Sequence, residues 1–146
     1  MIKRNHGHVV TIASVASFAV LAGNVDYSCT KAAALAFHEG LTQELRHRYH
    51  ADRVRTTFLP LTDCVVHPTW VRTPLIAELL APNFNGLVLE AETVADAVVK
   101  QVLKGESAQL ILPSHYSLLA SLRGFPSWLQ EGVRSSHAGV LDRSKH

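Results

Sequence analysis

Gly7-His-Val-Val-Thr-Ile-Ala-Ser14, followed by Asp26-Tyr-Ser-Cys-Thr-Lys31, is the stretch on which the reading of this chain turns. His8 to Ala13 is a short, β-branched, apolar run. That is the pattern of a strand covered on both faces. It ends in a hydroxyl, Ser14. Ser14 to Asn24 is rich in small residues and reads as a loop. Asp26 is a good N-cap for a helix from about Tyr27 to Tyr49. Ala32, Leu35, Ala36, Leu41 and Leu45 give that helix an apolar stripe. Its ending, Arg46-His-Arg-Tyr-His50, sets positive charge near the negative end of the macrodipole.

Working outward, Met1 to Asn5 reads as the last turn of a helix whose beginning is missing, with Lys3, Arg4 and then Gly7 as its stop. Val54 to Leu59 is a second strand candidate, interrupted by Pro60. Val65-Val-His-Pro68 resumes apolar character. Thr73 to Ala81 suggests a short helix with Pro74 in its first turn. Asn83-Phe-Asn-Gly86 is a turn. Glu92 to Lys104 is a helix stopped by Gly105, and Gln109-Leu-Ile-Leu112 is a third buried strand. Tyr116 to Val133 is helical around Gly124-Phe-Pro126. Residues 1–134 make the domain, and residues 135–146 read as a disordered tail. Strand, helix, strand, helix, strand is the order of a parallel α/β sheet. Ligands on such sheets collect at the carboxyl ends of the strands, so Ser14 and the Pro68-to-Thr73 segment belong at one edge.

Composition narrows the classes. With 146 residues, 47% apolar and 18% charged, the chain suits one soluble globular domain. A net charge of +2, with no basic–aromatic clustering, argues against a nucleic-acid surface. The nine histidines are scattered and show no metal-ligand spacing, so no metal site is expected. Cys29 and Cys64 match no disulfide motif and read as reduced thiols. No leader or membrane-spanning segment is evident, and a cytoplasmic or membrane-associated location is expected. Leu118, Leu119, Leu122, Phe125, Trp128 and Leu129, near Arg123 and Arg134, form an apolar set. It packs on the domain or lies on a membrane surface, and packing is the favoured reading.

The chemistry lies in Tyr27 and Lys31, four apart on one helix face. Phenols titrate near pH 10, and a neighbouring ammonium favours the phenolate. A serine hydroxyl in the same pocket can hydrogen-bond an oxygen on which charge develops. Together they suit proton transfer in alcohol–carbonyl interconversion. The Tyr-x-x-x-Lys spacing alone arises by chance about 0.2–0.3 times in a chain this long. Singly, Tyr27 reads as packing, Lys31 as surface charge and Ser14 as a loop hydroxyl. The joint placement is what carries weight: strand-end Ser, small-residue loop, helix-start Tyr, then Lys.

On those residues, on Asp26 to Ala34 and on His67-Pro-Thr-Trp-Val-Arg-Thr73, the chain resembles the short-chain dehydrogenase/reductase family from about Met1 to Trp128. The likeness leans to the branch of retinol and 17-beta-hydroxysteroid dehydrogenases. It implies the C-terminal part of a Rossmann-like, doubly wound parallel sheet without the N-terminal βαβ units. It implies an NAD- or NADP-dependent oxidoreductase on a lipophilic alcohol or ketone. By resemblance, Tyr27 is the general acid/base, and Lys31 supports its phenolate and binds the nicotinamide ribose. Ser14 orients the substrate oxygen. Pro68, Val71 and Thr73 flank the nicotinamide, and could otherwise be turn and loop packing. The family also implies a dimer through the Tyr27–Tyr49 helix, which leaves a non-catalytic interaction module as the alternative function.

The sequence departs from the family pattern in three ways. It has no Gly-rich pyrophosphate turn, no NAD/NADP selector and no Asn of the proton relay, so the chain alone is expected to be a poor enzyme. Thr69 stands at the usual Gly position after Pro68. Phe58-Leu-Pro-Leu-Thr-Asp-Cys64 looks interpolated, because without it Val54-Arg-Thr-Thr57 would run straight into Val65-Val-His-Pro68.

Overall fold

The computed structural model describes residues 1–20, 22–55, 65–77, 86–104 and 109–136. The interpolated segment 58–64, the stop at Gly105, most of the Asn83-to-Gly86 turn and residues 137–146 lie outside them. The described elements form an α/β structure whose strand pairs are all parallel.

The opening run is two short strands rather than one. They are β1 (Gly7–His8) and β2 (Thr11–Ile12). β1 pairs with β3 (Val54–Arg55), and β2 pairs with β4 (Val65–Pro68). The register explains the split. Gly7 faces Val54 and Thr11 faces Val65. One side advances four residues while the other advances eleven, an excess of seven. Seven is the length of the Phe58-to-Cys64 segment. β3 and β4 are thus the two halves of one strand line beside β1 and β2.

β4 is the middle strand of the β2–β4–β7 sheet, with β7 at Gln109–Leu112. Its four residues are all buried, as a central parallel strand requires. β7 is only partly covered, against the expectation of a third buried strand, because it is the edge of this sheet among the described residues. A further parallel pair, β5 (Trp70–Val71) with β6 (Val88–Leu89), was not anticipated. Two-residue strands are too short to show a period in sequence.

Helix α1 spans Val25–Gln43 and continues as a π turn over Glu44–Arg48. Its start corrects the Asp26 N-cap. The helix already includes Val25, and Asp26 is the acid of its first turn, where the helix dipole favours it. At the far end His50 takes a left-handed conformation (φ 48°), and the Ala51 N–H reaches back to the Leu45 carbonyl at 2.8 Å. That closes the helix without the glycine that usually marks such an end. Asn5 (φ 42°), rather than Gly7, likewise ends the short 3-10 turn Ile2–Arg4. The buried core beneath α1 holds Ala13, Val15, Phe18, Ala19, Val65 and Val66, with a smaller cluster of Leu45, Ala51 and Val54 against Leu41.

After β5 comes α2 (Pro74–Ala77), and α3 (Ala91–Lys104) follows β6. The expected C-terminal helix is three pieces: α4 (Ser117–Ala120), a 3-10 turn at Leu122–Gly124, and α5 (Ser127–Ser136). Pro126 separates the last two, since proline disfavours helical backbone in the residue before it. Phe125 is accordingly extended. Ser135 and Ser136 belong to α5 rather than to the tail. No helix among the described residues is long and apolar enough to cross a membrane.

Candidate active site

The site is built where β2 and β4 end. Ser14 leaves β2 in extended conformation and caps a 3-10 turn, Val15–Ser17. Its Oγ accepts the Ala16 N–H at 3.2 Å and donates to the Pro68 carbonyl at 3.3 Å. The Ser14 side is thereby joined to the end of β4, as the topology predicted. The second bond is long for a hydroxyl donor, whose usual distance is about 2.7–2.8 Å. A better acceptor arriving at the site can take over that hydrogen bond.

Helix α1 brings the other two groups. Ser17, fully buried, donates its Oγ hydrogen to the Lys31 carbonyl at 3.0 Å, fixing α1 against the turn that follows Ser14. The small residues between Ser14 and Asn24 allow that close approach. Lys31 extends its Nζ to the Ile12 carbonyl, 3.1 Å away and two residues before Ser14. The same Nζ lies 5.6 Å from the centre of the Tyr27 ring. An ammonium has three donors, so the bond to Ile12 leaves two for other partners. Tyr27 and Lys31 are both half-buried, accessible to a ligand without being loose surface groups.

The second predicted segment lies across the sheet. Pro68 is the last, buried residue of β4, and Val71 closes β5. Thr73 accepts the Ile76 N–H at 3.1 Å as α2 begins. The Thr69 N–H donates to the Leu112 carbonyl at 3.0 Å, but its Oγ1 is buried with no hydrogen-bond partner among the described residues. Buried polar atoms rarely stay unpaired, so this hydroxyl is a candidate for a ligand polar group. Arg72 pairs with Glu90 at 2.8 Å and clamps β5 to the start of α3. The structure thus ties Ser14 to Pro68 and sets Lys31 Nζ between the end of β2 and the Tyr27 ring, with Val71 and Thr73 on the segment that follows β4.

Two buried histidines were missed. His67 donates from Nδ1 to the Ser14 carbonyl at 3.0 Å, and its Nε2 lies 3.2 Å from the Gln109 amide nitrogen. His38, on α1, meets the Thr11 hydroxyl at 2.7 Å. Both rings are fully buried, and burial holds both pKa values below the ordinary histidine value. For His38 the nearby Glu39 opposes that shift. For His67 the Ser14 hydrogen bond opposes it, while His38 adds to it. In sequence His67 looked like a neighbour of Val65 and Val66. Its one signal was a polar ring inside a run that must be buried.

Elsewhere, an apolar hollow of about 570 Å³ is lined by Met1, Ile2, Val9, Leu41, Leu45 and Val54 among others, and by none of the predicted site residues. No group of three metal-binding side chains occurs among the described residues.

Comparison with known proteins places the chain in a family. The family model described as short chain dehydrogenase matches residues 1–81. The chain is 63% identical over 57 residues to Dehydrogenase RED3 of Cochliobolus heterostrophus, covering 39% of this chain and 29% of that protein. It is 36% identical over 123 residues to mouse estradiol 17-beta-dehydrogenase 11, covering 84% of this chain and 37% of that protein. Human 17-beta-hydroxysteroid dehydrogenase 13 is 29% identical over 125 residues, covering 86% and 38%. The chain therefore spans less than two fifths of the length of these relatives.

Proposed function

Because the chain belongs to the short-chain dehydrogenase family, we propose that it carries the proton-transfer half of a site that interconverts an alcohol and a carbonyl. The observation that carries this reading is the placement of Lys31 Nζ. It is bonded to the main chain at the end of β2 and stands beside the Tyr27 ring, with Ser14 anchored to Pro68 at the same strand ends. Tyr27 gives or takes the proton of the alcohol oxygen. Lys31 favours the phenolate electrostatically. Ser14 exchanges its long bond to Pro68 for one to the substrate oxygen, holding that oxygen as charge develops.

A nicotinamide dinucleotide, NAD or NADP, supplies the hydride acceptor or donor when bound. The residues present fit its nicotinamide end. Lys31 has donors to spare, Thr69 offers an unpaired hydroxyl, and Pro68, Val71 and Thr73 provide backbone beside them. The sequence offers no glycine-rich cradle for the pyrophosphate. Names of the relatives, such as 17-beta-hydroxysteroid dehydrogenase, favour a lipophilic alcohol or ketone as substrate.

The test is turnover of a series of primary and secondary alcohols, of short and long chain, with either nucleotide. Replacing Tyr27→Phe removes only the phenol oxygen. Loss of a general acid/base costs on the order of 10²–10⁴ in rate. Turnover by Tyr27→Phe equal to that of the parent chain would refute the assignment.

A second reading, a docking module that pairs through α1, has its own observation. Phe37 is 66% exposed on that helix. Sedimentation decides it: a dimer that Phe37→Ser dissociates supports pairing, and a monomer at high concentration removes it. Membrane association would rest on Leu118 and Trp128, exposed at 78% and 74%. Failure to float with liposomes would exclude it.

A further inference from the structure

We propose that His67, with Gln109 behind it, is a positioning residue for Ser14. The proposal rests on the reading of Ser14 as the hydroxyl that meets substrate.

Ser14 is held by two consecutive residues of β4. His67 binds its main-chain carbonyl, and Pro68 binds its side chain. A carbonyl oxygen can only accept, so the ring nitrogen facing it, Nδ1, carries the proton. The carbonyl also takes the Ser17 N–H at 2.9 Å, so both its lone pairs are used. The neutral ring then presents a bare Nε2, and the Gln109 amide supplies a donor at 3.2 Å. Both ring nitrogens are therefore satisfied in a residue that exposes no surface. The Phe18 ring, 4.5 Å away, packs against the imidazole and leaves it little room to turn.

The arrangement crosses the sheet. Gln109 begins β7, His67 lies in β4, and Ser14 follows β2. One imidazole therefore links the exit of β2 to both other strands of that sheet. A leucine or valine at position 67 would fill the space but leave the Ser14 carbonyl one partner short. The distance from hydroxyl to reacting oxygen decides how well the proton-transfer geometry works, and small displacements there are expensive in rate. The Ser14 carbonyl sets the tautomer, and Gln109 supplies the matching donor, the second link in the chain that aims Ser14.

The experiment uses the whole chain, labelled with ¹⁵N and ¹³C, without ligand. Long-range nitrogen–proton correlation reports which nitrogen of His67 bears hydrogen. The expected result near pH 7.5 is the Nδ1–H tautomer with an unprotonated Nε2. The Nε2–H tautomer overturns the proposal, whatever the variants do. Two substitutions then separate positioning from packing. In His67→Asn the amide nitrogen falls near the old Nδ1 and keeps a donor for Ser14. In His67→Gln the amide nitrogen falls near Nε2 and does not. Asn should preserve the Ser14 carbonyl and Ser17 amide resonances, whereas Gln should shift both. Turnover should follow the same order, with kcat falling at least tenfold in Gln and KM little changed. Resonances equally unmoved in both variants overturn the proposal. If instead Ser14→Ala leaves turnover intact, the reading of the site is what fails.

Discussion

Acid should weaken this fold through its two buried histidines, and the effect can be sized. His38 and His67 are both fully buried, and burial holds both below the ordinary value. An unfolded chain presents them to water with a pKa near 6.5. Below that value the unfolded state binds protons that the folded state refuses, so stability falls as the pH falls. The contribution is complete above about pH 7 and is lost between there and the depressed folded values. Each histidine can contribute at most about 1.4 kcal/mol per pH unit to that slope. A small domain has about 5–15 kcal/mol in total, so one unit of acidification is a sizeable fraction. Urea unfolding at pH 7.5, 6.5 and 5.5 measures it directly. The midpoint should drop steadily across the lower interval while the denaturant slope stays constant. His67→Asn, which cannot titrate, should show a shallower pH dependence than the parent chain. Stability that is flat or rises toward pH 5.5, or a pH dependence in both His38→Asn and His67→Asn as steep as that of the parent chain, would refute the reasoning.

Three other perturbations probe the frame. Leu45→Ala opens the cluster of Leu45, Ala51 and Val54 and should cost about 2–5 kcal/mol in urea unfolding. Ser17→Ala removes the buried hydroxyl bonded to the Lys31 carbonyl and should cost about 1 kcal/mol; no change in thermal melting would show that this tie is unimportant. Deleting residues 58–64 matches the seven-residue excess in the register and should join β3 to β4, raising stability by about 1–3 kcal/mol as ladder hydrogen bonds form. A deletion that unfolds the chain would show that the segment belongs to the fold.

Much of the frame could be read from residue pattern. Buried parallel strands announce themselves as β-branched runs, and Val65-Val-His-Pro68 did so. The long helix α1 was legible, but the residues it buries are Ser28, His38 and Thr42 rather than the apolar stripe, of which Ala36 is exposed. Detail that depends on partners did not show. The break between β1 and β2 is set by what lies opposite, since each half pairs with a different stretch of chain. Asn5 and His50 end their elements in left-handed backbone, a job sequence reading assigns to glycine. The β5–β6 pair is too short to carry a pattern. The candidate site divides the same way. The meeting of Ser14 with Pro68 was legible from strand order, and the proximity of Tyr27 to Lys31 from helix spacing. The His67 and Gln109 links join residues 42 and 53 apart and depend wholly on sheet order.

The central claim is that these residues form one pocket for the nicotinamide end of a dinucleotide. Nicotinamide mononucleotide is the right probe, because it is the half that the proposed site would hold. In a titration followed by NMR, the account predicts weak binding, with Kd on the order of 1 mM, or about −4 kcal/mol. Shifts should be confined to Ser14, Tyr27, Lys31, Thr69 and Val71, and Lys31→Met should abolish them. Shifts gathered at the apolar hollow around Met1 and Leu41, or none at the ends of β2 and β4, would contradict it.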